Sequence, residues 1–72
     1  MMNVLIVDED TTFAAVYAAA LMKAGFAVHT ASEARQALAI LDREEIDTMI
    51  TEVLLPARNG IKRIQHIRLR EA

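Results

Sequence analysis

Hydrophobic and polar residues alternate in blocks along the chain, and the first two blocks predict a strand followed by a helix. Residues 4–7 form a continuous apolar run that ends at Asp8, as expected of a strand buried on both faces of a parallel sheet. Residues 11–25 carry bulky apolar side chains at four-residue steps, which indicates a helix with one buried face. This stripe is Phe13, Tyr17 and Leu21, with Val16, Ala20 and Ala24 beside it.

The remaining blocks repeat the alternation. Residues 27–31 and 47–51 are predicted as short strands, and residues 32–45 and 59–72 as helices. The order is therefore β-α-β-α-β-α with short connections, which implies a parallel sheet in a single α/β domain.

Residues at the predicted helix ends support these boundaries. Asp10 or Thr11 is suited to cap the first helix, Gly25 to end it, and Ser32 to cap the second. Met22 and Met49 are predicted to fill the core. His29 on the second strand and His66 on the third helix are predicted to be solvated, since neither has a catalytic acid nearby in sequence.

Composition narrows the functional classes. The 72 residues contain no cysteine, so disulfides and cysteine metal clusters are excluded. The net charge of -2 argues against a dedicated nucleic-acid binder. No apolar run approaches the roughly 20 residues of a membrane span, and no signal peptide is visible, so we expect a cytoplasmic protein with no membrane partner.

Acidic residues follow two of the three predicted strands. Asp8, Glu9 and Asp10 come after the first strand, and Glu52 after the third. The carboxyl ends of parallel strands share one edge of the sheet, so these carboxylates are expected to converge there. Mg²⁺ is the natural counter-charge for such a cluster. The alternative is that Asp8 and Asp10 only cap the first helix and solubilise the strand end.

The order and spacing of these residues resemble the receiver domain of response regulators in two-component signalling. Asp8 and Glu9 match the acidic pair after the first strand, and Glu52 falls at the position of the phosphorylated aspartate. Pro56 and Gly60 match the following loop. Further matches in the second strand and second helix are Gly25, Val28, Ala31, Ala37 and Leu38.

This resemblance implies a flavodoxin-like receiver half over residues 1–72, with a three-stranded parallel sheet in the order 2-1-3. It also implies that Asp8, Glu9 and the Leu54 carbonyl would hold Mg²⁺ while a phosphohistidine of a partner kinase transfers its phosphoryl group to position 52.

Two departures from the family pattern change the expected function. Glu52 is one methylene longer than the family's aspartate, so we expect a position that accepts no phosphoryl group and is either inert or mimics the phosphorylated state. We also expect a weak or absent Mg²⁺ site, with no cofactor required. The chain also ends before the last two strands and helices of the family, which carry the hydroxyl and lysine that sense phosphate. Neither Arg58 nor Lys62 can be placed in that role.

We therefore expect a non-enzymatic signalling module that acts through protein contact, with a sensor kinase or effector as partner. The alternatives are a Mg²⁺-dependent phosphoryl-accepting switch within a complete receiver, and a pure oligomerisation module. A third strand left at the sheet edge would recruit another strand, which predicts a homodimer through that strand. The rival explanation is a fragment of a longer receiver.

Overall fold

Four parallel strands and two helices make up the part of the chain that the structure describes. The structure is a computed structural model, and it describes residues 1–51 together with the backbone of residues 65–67. The elements are β1 (Asn3–Val7), α1 (Thr11–Lys23), β2 (Ala27–Ala31), α2 (Ala34–Arg43), β3 (Thr48–Thr51) and β4 (Gln65–Ile67). Neither described helix is both long and apolar enough to cross a membrane.

The sheet has the strand order β2-β1-β3-β4, with every neighbouring pair parallel. The predicted order 2-1-3 of a flavodoxin-like α/β fold is confirmed. The predicted third helix is wrong over residues 65–67, including His66, because these residues form β4 beside β3. The rest of that predicted helix lies outside the described residues.

The outer edge of β3 explains why a strand replaces helix in residues 65–67. Backbone groups on an open edge need hydrogen-bond partners, and pairing with β4 supplies them. The pairing therefore overrides the three-residue spacing of Ile61, Ile64 and Ile67 on which the helix prediction relied. It also removes the premise of the dimer through the third strand, since β3 lies between β1 and β4. That dimer stays a prediction.

Two hydrophobic layers enclose the sheet, one on each face. On one face α2 covers Leu5, Val7 and Met49, and on the other α1 covers Val4 and Ile6. Alternate residues of β1 serve opposite layers, which is why the sequence of this strand is apolar without interruption. Met49 is buried as predicted, whereas Met22 is 54% exposed and does not belong to the core.

Helix α1 is fixed at both ends by short-range hydrogen bonds. The Asp10 carboxylate accepts from the Phe13 N–H at 2.9 Å, so Asp10 is the N-cap. At the other end Gly25 has φ +100°, and the N–H groups of Gly25 and Phe26 donate to the carbonyls of Met22 and Leu21. This is a Schellman ending, and Gly25 fits it because an L side chain is strained at that φ.

The cap predicted for α2 is wrong. The N-cap position is Glu33, which makes no capping bond through its side chain. Ser32 lies one residue earlier, where its N–H and hydroxyl both donate to the Gln36 side-chain oxygen at 2.8 and 2.9 Å. The Gln36 side chain thus accepts a hydrogen bond from a backbone N–H that precedes the helix, as the Glu or Gln of a capping box does. This contact takes the place of a cap formed by the Ser32 side chain.

Candidate functional site

The carboxyl ends of β1, β2 and β3 lie level with one another. In the strand pairing Val7 is opposite Ala31 on one side and Thr51 on the other. The Asp8 N–H continues the ladder to the Ala31 carbonyl at 3.0 Å. The β1 acids therefore lie at this edge, whereas Glu52 and Leu54 lie outside the described residues, so the convergence of the two sets stays a prediction.

The register of β3 against β1 is held at the opposite end of the two strands. The Asn3 N–H donates to the Asp47 carboxylate, and the Asn3 side-chain amide to the Glu45 carbonyl, both at 2.8 Å. The Asp47 N–H returns a bond to the Asn3 carbonyl at 2.9 Å. A slip of one residue would break all three bonds and exchange the faces on which Met49 and Ile50 pack. These bonds thus fix the register of β3 against β1, and with it the residue at which β3 ends at the carboxyl edge of the sheet.

Asp8 is fully buried at the end of β1. One of its carboxylate oxygens accepts from the Asp10 N–H at 2.9 Å, which is the geometry of a side-chain-closed turn. A buried carboxylate is costly unless hydrogen bonds compensate it, and this bond together with the nearby N-terminus of α1 contributes to that compensation. The turn holds the carboxylate at the sheet edge.

The three consecutive acids have different environments. Asp8 closes the turn, Asp10 caps α1, and Glu9 is exposed with no hydrogen bond in the structure's described part. Of the two residues predicted on the metal side, Asp8 is thus in the interior and Glu9 at the rim. Within residues 1–51 no three acidic or imidazole side chains converge closely enough to hold a metal ion. The predicted set also includes the Leu54 carbonyl, which lies outside the described residues.

Sequence reasoning missed a cleft of mixed polar and apolar lining on the β2 side of Asp8. The cleft encloses about 210 Å³ between the carboxyl ends of β1 and β2 and the starts of both helices. Its polar lining is Asp8, Thr11, Thr30, Ser32 and Gln36, and its apolar lining is Ala14, Ala15 and Ala31. At roughly 30 Å³ per water molecule this volume suits a handful of waters. The four-residue spacing of Ser32 and Gln36 was the available signal.

Thr51 is another feature of this edge that the sequence analysis did not identify. It is 5% exposed at the end of β3, opposite Val7 and directly before Glu52 in the chain. A buried polar residue at this point marks where the apolar strand gives way to the acidic edge. The described site therefore consists of a buried aspartate, an exposed glutamate, a buried threonine and a hydroxyl-lined cleft.

The fold and this edge define an α/β domain of the flavodoxin-like class, with acidic residues at the carboxyl end of a parallel sheet. The family model described as the response regulator receiver domain matches residues 4–72. The chain belongs to this family, which confirms the resemblance seen in the sequence.

Curated relatives agree with this assignment. The chain is 34% identical over 68 residues to the transcriptional regulatory protein CpxR of Klebsiella pneumoniae, covering 94% of this chain and 29% of that protein. It is 33% identical over 70 residues to the two-component response regulator ARR11 of Arabidopsis thaliana, covering 94% of this chain and 13% of that protein. The chain thus spans less than a third of either relative. No solved structure gives a significant match.

Proposed function

We propose that this receiver domain signals through protein–protein contact and largely without phosphorylation. The observation that carries the proposal is the glutamate at position 52, directly after the buried end of β3, where the family's pattern has an aspartate. The module would act in the cytoplasm as a binding domain rather than an enzyme, with a sensor kinase or an effector protein as its partner.

The precision of the fold supports an inactive acceptor. The Asn3–Asp47 junction sets the reach of β3, and the Asp10 N–H fixes one carboxylate oxygen of Asp8. In such a fixed frame the extra methylene of Glu52 moves its carboxylate by about a bond length. A misplacement of ~1 Å can cost about 10²-fold in rate, because in-line transfer depends on position.

The residues at this edge would still suit Mg²⁺, since the ion prefers hard oxygen ligands. Asp8 and Glu9 would hold it together with the Leu54 carbonyl, and Glu9 is the acid that the fold leaves uncommitted. When bound, the ion would neutralise charge on a phosphoryl group. We propose a weak site that the signalling role does not require.

The test is incubation with acetyl phosphate and Mg²⁺, followed by intact-mass measurement. We expect the chain to remain unmodified under conditions that fully phosphorylate a receiver with an aspartate acceptor, which serves as the positive control. Glu52→Ala is the matched variant that assigns any adduct to this side chain. If most of the protein molecules became phosphorylated at Glu52, this result would contradict the proposal and favour the Mg²⁺-dependent switch.

A further inference from the structure

The side chain of Met2 contacts the start of β3 through a hydrogen bond to its sulfur. The Thr48 hydroxyl donates to the Met2 sulfur at 3.8 Å. Thr48 is 8% exposed, and among the described residues this sulfur is the one hydrogen-bond partner of its hydroxyl. A thioether sulfur is a weak acceptor, so it compensates only part of the cost of burying the hydroxyl.

The backbone on both sides of this contact is held by hydrogen bonds. The Met2 carbonyl accepts from the Ala27 N–H at 3.0 Å, which ties the residue to β2. Met2 precedes Asn3 in the chain and Thr48 follows Asp47, and the Asn3 N–H donates to the Asp47 carboxylate. These bonds keep the sulfur and the hydroxyl close together, while the bonds of the methionine side chain remain free to rotate.

The four methionines of the chain differ in their access to a small oxidant. Met1, Met2 and Met22 are 93%, 49% and 54% exposed, whereas Met49 is fully buried. Of the three exposed methionines, Met2 is the one whose sulfur has a hydrogen-bond donor within the described residues. Oxidation converts the apolar thioether into a polar sulfoxide, so its effect depends on what surrounds the sulfur.

We propose that Met2 is an oxidation site whose sulfoxide strengthens the contact with Thr48. A sulfur lone pair attacks one oxygen of hydrogen peroxide, the S–O bond forms and the O–O bond breaks. The leaving hydroxide takes the proton of the transferred oxygen and departs as water, so the sulfur is oxidised and the peroxide reduced. The sulfoxide oxygen is a better acceptor than the sulfur, and rotation of the side chain turns it toward the hydroxyl.

The expected effect on stability is the opposite of the usual effect of methionine oxidation. In a core, a sulfoxide is a polar group without a partner and destabilises the fold. At Met2 the buried Thr48 hydroxyl supplies a partner, and the exposed side of the residue lies in water. Oxidation at this position therefore stabilises the amino ends of β1 and β3, and methionine sulfoxide reductases can reverse it.

Peroxide treatment of the Met22→Leu variant, followed by urea unfolding, tests the proposal. Peptide mass mapping should find an added oxygen at Met2 and none at Met49. We expect the urea midpoint to rise by about 0.5 M, because a buried hydroxyl gains a good acceptor. Treatment with both methionine sulfoxide reductases should return the midpoint to its starting value.

Two further variants in the Met22→Leu background assign the effect. Met2→Leu retains Met1, so peroxide should leave its urea midpoint unchanged. Thr48→Val keeps the branched shape of the side chain without the hydroxyl, so Met2 should still be oxidised but the midpoint should not rise. Circular dichroism before oxidation verifies that each variant folds.

A midpoint that falls or stays unchanged after oxidation of Met2 would overturn the proposal, as would a Met2 that peroxide leaves unmodified. An equal rise in the Thr48→Val variant would show that the hydroxyl is not the acceptor, and an equal rise in Met2→Leu would assign the effect to Met1. Glu52 takes no part in these measurements, so the outcome is independent of the acetyl phosphate assay.

Discussion

At the scale of single residues, neighbouring acids of similar chemistry have separate roles. The Asp8 carboxylate is turned inward and holds the loop after β1, and the Asp10 carboxylate holds the first turn of α1. Glu9 points to solvent between them, without a hydrogen bond to the residues that the structure describes. A sequence shows three acids but not this division, because it depends on which backbone N–H groups the folded loop presents.

Removal of the helix cap should therefore cost stability, whereas removal of its neighbour should not. We expect Asp10→Ala to lower the free energy of unfolding by about 1 kcal/mol, because the Phe13 N–H loses its acceptor. Glu9→Ala is the matched control and should change stability by less than about 0.5 kcal/mol. Urea unfolding followed by circular dichroism measures both. Equal losses in the two variants would show that the cap contributes nothing specific.

Gly25 gives a second prediction at this scale. Its φ of +100° strains any L residue, although open space surrounds the position where a Cβ would lie. We expect Gly25→Ala to lower the free energy of unfolding by about 1–2 kcal/mol from backbone strain alone. Gly25→Asn should lose less, since asparagine tolerates left-handed conformations. The same urea experiment decides, and an unchanged midpoint for the alanine variant would contradict the backbone argument.

At the scale of helices and strands, the sequence predicts an element best where its periodicity and its surroundings agree. Helix α2 has an apolar side and a polar side, and β1 is apolar throughout because both of its faces are covered. The apolar stripe and the signals at the helix ends located helix α1 correctly. They did not predict which of its residues face the sheet and which face water. Alanine and valine on all sides do not show that Ala14 and Ala18 face the sheet while Val16 faces water.

The caps show the same dependence on local geometry. Asp10 was one of two candidates for α1, and the structure selects it. Ser32 was the natural choice for α2 by residue type, yet the chain enters the helix one residue later and Gln36 reaches back to Ser32. Residue type alone could not predict this, because serine suits either arrangement.

At the scale of the whole molecule, the alternation of strands and helices predicted a parallel sheet and the resemblance to receiver domains its order 2-1-3, whereas neither predicted β4 at residues 65–67. The segment around His66 has apolar residues three apart, which suits a helix, and no strand signal of its own. Its conformation depends on a partner distant in sequence, since β3 offers an edge that needs pairing.

Amide hydrogen exchange tests whether β4 pairs with β3 in solution. The Asp8 N–H faces β2, so by alternation Leu5 faces β3. Since Leu5 is opposite Met49, the Ile50 N–H bonds toward β1, and the Met49 N–H points away from β1 toward β4. We therefore expect the Met49 amide to exchange about as slowly as its neighbour Ile50, which serves as the internal control.

The protection at Met49 should also be independent of protein concentration, because its partner belongs to the same chain. Fast exchange at Met49 beside slow exchange at Ile50 would show that β3 is an open edge and that the four-stranded sheet is wrong. Protection that appears only at high concentration would identify a second copy as the partner, which is the dimer through the third strand.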